Sequence, residues 1–326
     1  MSLDMVNLQS REFCNCLAME RNLNPVGSAG SFDDALVVEA PLPWRRDLMQ
    51  KAGALPQEMI DLLAAWLQDY YAGKGYPHLP LVVAPDPAYS REGYRRVMLF
   101  TRPQGMFARF DRLEYLVPTD ELGALIWALY QDRGALARFE AYRVPETEDV
   151  RDILVCTHGS VDAACAKFGY PLYKHMRETY GDSKLRVWRV SHFGGHVFAP
   201  TLMEMPVGHY WAYIEREQAA QLVHRTGDVA AMRGYYRGWA GISSGFGQTA
   251  ECELWQQHGW TWFDYPKSCE IDAQDESAEV RIRYTASGAE TVCQYHVEIS
   301  HTVETQVSTG DTHLYAYPQY RIVETR

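Results

Sequence analysis

A chain of 326 residues has room for two domains, and a hydrophobic content of 47% supplies an ample core and excludes a disordered polymer. A net charge of −11 disfavours a nucleic-acid partner, which needs a basic patch. No apolar run approaches the ~20 residues of a membrane helix, so no membrane partner is expected. The first residues lack the basic, apolar, small-residue order of a secretion signal. Seven cysteines without the spacing of a disulfide framework point to a reducing, cytoplasmic compartment.

Residues 1–34 read as polar and irregular, and they hold a Cys14-Asn15-Cys16 pair. That pair is open to two readings: free thiols on a flexible segment, or a metal or redox pair. Residues 35–40 (ALVVEA) predict a strand. Met59, Ile60, Leu62, Leu63, Trp66, Leu67 and Tyr70 recur at helical spacing and predict an amphipathic helix over residues 57–71. Strands are expected over 79–84, 96–100 and 106–117. Thr119 is placed to cap a helix with Leu122, Leu125, Ile126 and Leu129 on its apolar face. Residues 215–226 read as an exposed helix, Gly245 to Gly247 as a loop, 249–258 as a helix and 261–265 as a short strand. Alternation from Glu279 onward, with Ser287-Gly288 between two strands, predicts a small antiparallel sheet. The chain divides on this reading into residues 1–145, 146–214 and 215–326: an N-terminal α/β region, a central region and a C-terminal α+β region.

The central region carries the chemistry. Cys156, Cys165, His192 and His196 fall in the pattern C-x8-C-x26-H-x3-H. Ile153, Leu154 and Val155 form a buried strand that delivers Cys156 to a strand end, where sites sit in open α/β sheets. Pro171 suits the first turn of a helix that Gly181 ends. Leu185, Val187 and Val190 mark a second strand leading to His192. A His-x3-His pair often lies on one helix face, but Gly194 and Gly195 would each cost about 1 kcal/mol there. They suit a tight loop whose backbone approaches a metal closely and brings both imidazoles to one center.

This spacing resembles thioredoxin-like ferredoxins, with the second cysteine pair replaced by His192 and His196. The H-x-G-G-H form of that replacement resembles the sucrase/ferredoxin-like family. HVFAPTLMEMPVGHYWAY after the motif and GSAGSFDDALVVEAPLPW near the start resemble the same family. The resemblance implies a thioredoxin-like ferredoxin fold. Strands and helices alternate over residues 35–145 and again over 150–213, which predicts an α/β fold, leaves two related halves open, and sets the C-terminal α+β region apart as an appendage. The resemblance also implies a [2Fe-2S] cluster ligated by Cys156, Cys165, His192 and His196, with Gly194 and Gly195 shaping the loop. Two neutral imidazoles in place of two thiolates raise the potential, as in Rieske centers. A free imidazole N–H then couples electron transfer to protonation. The "sucrase" of the family name has no carboxylate pair to support it.

The expected role is that of an electron carrier or oxidoreductase component with a separate redox partner protein, because no flavin or nicotinamide motif is visible. Two alternatives stay open. One is a structural Cys2His2 zinc site. The other is a thiol oxidoreductase using Cys156 and Cys165, against which the missing C-x-x-C stands. Cys156-Thr157-His158 is also half of a Rieske-type motif, but the matching half is absent, which leaves His158 a neighbour of the center. Asp162 and Lys167 read as solvated loop or cap residues. Cys252, Cys269 and Cys293 read as structural or free thiols, and Trp188 as core.

Overall fold

The computed structural model describes residues 13–147 and 149–325 of the chain. A short helix α1 (Cys14–Glu20) precedes β1 (Asp34–Glu39), α2 (Gln57–Tyr71), β2 (His78–Val83), β3 (Tyr94–Thr101), β4 (Asp111–Pro118) and α3 (Leu122–Tyr130). There follow β5 (Arg151–Cys156), α4 (Tyr170–Tyr180), β6 (Leu185–Val190), β7 (Leu202–Met205), β8 (His209–Trp211) and α5 (Arg216–His224). The remainder is α6 (Val229–Met232), β9 (Tyr236–Trp239), α7 (Gly245–His258), β10 (Lys267–Ala273), β11 (Ser277–Ala286), β12 (Ala289–Thr305) and β13 (Tyr315–Thr325).

Nine strands form one mixed sheet in the order β4-β3-β1-β2-β6-β5-β7-β8-β9. β1 runs parallel to β2 and antiparallel to β3, which pairs with β4. β5 runs parallel to β6 and antiparallel to β7, which pairs with β8. Each half is therefore the same β-α-β-β-β-α unit with the same neighbours, the order of a thioredoxin-like fold. The fold is α/β, and the two related halves are present in its topology. They meet where Val83 at the end of β2 pairs with Val190 at the end of β6. Both halves thus bring the carboxyl ends of their parallel strands to the joint.

Alternation along the two first strands explains why they are buried on both faces. Leu36 and Val38 pack under α2 and α3, while Ala35 and Val37 face a second core. In β5, Ile153 and Val155 face a core formed with α4, α5 and α7, while Leu154 and Cys156 face the same second core as Ala35. That second core crosses the joint and contains both Cys156 and Cys165. Arg186 of β6 locks the halves together by donating to Glu114 of β4 at 2.8 and 2.9 Å and to Asp152 of β5 at 2.8 Å. β10 to β13 form the separate four-stranded antiparallel sheet, which packs on α7 through Val280, Ile282 and Val297.

Several local expectations change. Residues 106–110 are not strand; Phe107 instead exchanges backbone hydrogen bonds with Lys267 at 3.1 and 3.0 Å. Thr119 does not cap α3: its hydroxyl donates to the Gly93 carbonyl, and a 3₁₀ turn over Thr119–Glu121 leads into the helix. The glycines at 245 and 247 are helical, because Ser244 caps α7 by accepting from the Phe246 N–H. The expected strand at 261–265 is a 3₁₀ segment, Gly259–Asp264, whose Trp262 and Phe263 are fully buried. Within the N-terminal segment, Cys14–Glu20 is helical and Cys14 is fully buried, while residues 21–33 are irregular as expected. Residues 1–12 lie outside the described part.

Candidate metal centre

β5 ends on Cys156, and its loop closes on a π-helical turn over Cys165–Gly169 that runs directly into α4. Such wide turns recur at functional sites. Gly169 is required there, since a Cβ would lie 2.0 Å from the Cys156 carbonyl oxygen. The wide turn and the bare glycine together bring Cys165 back over the end of β5. From the other side, β6 passes the joint, and the Ser191 hydroxyl accepts from the Val82 N–H at 2.9 Å. The next residue is His192.

The Nδ1 atom of His192 lies 3.8 Å from the Cys156 sulfur and 3.8 Å from the Cys165 sulfur. The three donor atoms fall within 4.8 Å of one another; both cysteines are buried and His192 is half-buried. The Cys165 thiol beside it holds the Cys156 thiol well below its usual value, against burial and with the help of His192. The same shared proton, together with burial, pushes Cys165 up. A metal binding there takes both sulfurs as thiolates and displaces the protons they hold.

His196 stands beside this group without joining it. Its ring is 4.9 Å from that of His192, edge to face, and its Nδ1 donates to Asp162 Oδ2 at 2.8 Å. Burial works to lower the His196 value, but the hydrogen bonds to Asp162 and Cys14 outweigh it and raise it to about 9. Cys14, Asp162 and His196 form a second set of donor atoms within 4.8 Å. The loop between the histidines is left-handed at both glycines, with φ of +91° at Gly194 and +77° at Gly195, as a non-helical turn demands. At Gly195 a Cβ would also meet the Arg237 guanidinium at 2.5 to 2.7 Å.

Three neighbours escaped the sequence reading. Asp162 is no solvated loop residue: it is 4% exposed and accepts from His196, Thr309 and the Ala164 N–H. Thr309 comes from the loop between β12 and β13, and nothing in its local sequence marks it. Arg237 is buried under the glycine loop, donating to the Ser28 carbonyl at 2.7 Å and the Thr201 hydroxyl at 3.0 Å. Burial lowers its value to about 10. A buried cation at this place favours negative charge on the cysteines.

His158 has both ring nitrogens engaged. Nδ1 accepts from the His192 N–H at 3.3 Å and Nε2 lies 3.2 Å from the Arg45 carbonyl, so the side chain orients the backbone that carries His192. Trp188 is core, with its indole N–H donating to Asp152. Phe193 packs edge-on against Tyr210. Cys252 is buried, Cys269 and Cys293 are half-buried, and among the described residues no two cysteines form a disulfide. No described helix is long and apolar enough to cross a membrane.

Comparison with protein families matches residues 25–238 to the family described as sucrase/ferredoxin-like (Suc_Fer-like), more than half of the chain. No curated protein and no solved structure matches. Cys156, Cys165, His192 and His196 lie inside the matched region, while Cys14 and Thr309 lie outside it. The chain belongs to the sucrase/ferredoxin-like family.

Proposed function

We propose that the chain carries a [2Fe-2S] cluster held by Cys156, Cys165, His192 and His196 and passes single electrons between separate protein partners. One observation carries this reading: the spaced cysteines and the H-x-G-G-H loop, far apart in sequence, come together at the joint of two thioredoxin-like halves in a ferredoxin-like family. The donor set fits the group, with two buried sulfurs, one already held toward thiolate, and two imidazoles. When bound, such a cluster accepts and releases one electron, at a potential raised by its imidazole ligands.

The side chains around it have distinct tasks. Cys156 and Cys165 bind through sulfur and are closed off from water by the second core. His192, half-buried, forms the edge nearest solvent, where a partner's electron enters or leaves. The ring nitrogen not bound to metal carries a proton whose departure accompanies oxidation. For His196 that proton faces Asp162 and Cys14, and for His192 the surroundings are His158, Cys156, Cys165 and the His196 ring. A potential that stays flat between about pH 6 and 10 contradicts this coupling. The partner is a soluble redox protein in a reducing, cytoplasmic compartment; neither nucleic acid nor membrane is part of the reading.

The test is an absorption spectrum of anaerobically purified protein with iron, sulfide and zinc assayed on the same sample. Visible bands that bleach with dithionite, with equal iron and sulfide, support the cluster. A colorless protein with zinc contradicts it. One observation favours that zinc reading. The 3.8 Å separations from His192 to both sulfurs are near the roughly 3.6 Å expected between two ligands of one tetrahedral zinc ion.

A further inference from the structure

We infer that Asp162 is a positioning residue for His196, and that the C-terminal sheet holds it in place through Thr309. The inference rests on the reading of His196 as a ligand. Asp162 is 4% exposed. Its Oδ1 accepts from the Thr309 hydroxyl at 2.7 Å and from the Ala164 N–H at 2.8 Å. Its Oδ2 accepts from the Thr309 N–H at 2.8 Å and from His196 Nδ1 at 2.8 Å. A carboxylate offers about four lone-pair sites; these four donors fill them, with the Cys14 thiol a longer fifth contact at 4.0 Å from Oδ1, and together they fix its plane. The Thr309 hydroxyl accepts in turn from the Cys14 N–H at 3.4 Å.

The consequence is a choice between two nitrogens. With Nδ1–H committed to Asp162, Nε2 is the atom left for a metal, the arrangement by which carboxylates orient metal-binding histidines and raise their basicity. Cys14 and Thr309 both lie outside residues 25–238, so two segments beyond the family-matched region meet on this one carboxylate. The β12–β13 loop is thereby part of the site, and the C-terminal sheet has a role at the center without supplying a ligand.

The competing arrangement is an ion held by Cys14, Asp162 and His196 itself, whose donors also converge. Ring ¹⁵N–¹H correlation spectra separate the two. In the metal-free wild type, His196 should show an Nδ1–H shifted far downfield. Asp162→Asn should lose that shift, and Thr309→Val, which keeps the backbone donor, should lose less of it. On addition of zinc alone, the wild type should keep its Nδ1–H while Nε2 moves. In the iron-loaded protein, Asp162→Asn should surrender iron to a chelator about tenfold faster. An unchanged His196 signal in Asp162→Asn overturns the inference, and so does zinc binding through Nδ1. If the wild type binds neither iron nor zinc, the proposed function fails, while the metal-free spectra still decide whether Asp162 sets the His196 tautomer.

Discussion

The two halves of the large sheet are built alike and end differently. Glu39 and Cys156 occupy the same place: each closes the first strand of its half and pairs with the last residue of the second, Val83 or Val190. In the first half the space beyond is filled by a hard, closed network. Ser90 donates to Glu39 at 2.8 Å, and Asp86 takes two 2.8 Å bonds from Arg177, which projects from α4 of the other half. In the second half the space is filled by sulfur and imidazole. One backbone plan thus serves as a clamp on one side of the joint and as a candidate metal centre on the other. The difference lies in which side chains the strand ends deliver, since the topology supplies the place in both.

The largest contrast is expected from paired substitutions at the equivalent positions. Cys156→Ser should bring bound iron and visible absorption to background, because a hydroxyl is a poor substitute for a thiolate. Glu39→Gln should leave metal content unchanged and shift stability by no more than about 1 kcal/mol, since its amide oxygen still accepts from Ser90. Iron assay and urea denaturation of both variants check this. Equal metal loss in the two would break the comparison.

A smaller effect separates the two loop glycines. Gly194→Ala should cost about 1–2 kcal/mol for its left-handed conformation alone, because nothing lies within 4 Å of the added carbon. Gly195→Ala should cost more, since it also drives Arg237 from its bonds to Ser28 and Thr201. Denaturation midpoints of the two variants give the order.

A further effect, absent at neutral pH, concerns β8, on the outer side of the second half. His209 is fully buried, stacked 3.7 Å from Phe263, and burial holds its value well below the usual range. A folded value below the unfolded one means that only the unfolded chain gains a proton as pH falls through about 6.5. Stability present above that pH is lost below it, by about 1.4 kcal/mol per pH unit. His209→Gln should flatten this acid limb relative to wild type, measured at equal metal content.

Much of the fold was legible because its signals are local. The helical spacing from Met59 to Tyr70 predicted α2 to the residue, and the apolar run before Cys156 placed β5. The H-x-G-G-H loop was legible from the cost of two glycines in a helix, and both are left-handed. What failed depends on distant partners. Asp162 read as solvated because the residues that bury it, Cys14 and Thr309, lie 148 and 147 positions away. β10 was missed because its first inward residue is Lys267, a buried cation resting over Trp239 and Trp262. The 3₁₀ segment at 259–264 passed for a strand because a short aromatic run carries no period that separates the two.

The most direct measurement is electron–nuclear double resonance on the dithionite-reduced protein with ¹⁵N-labelled histidine. The account predicts two histidine nitrogen couplings, one lost in His192→Ala and the other in His196→Ala. A reduced center with no histidine coupling, or a protein that stays silent and holds only zinc, contradicts it.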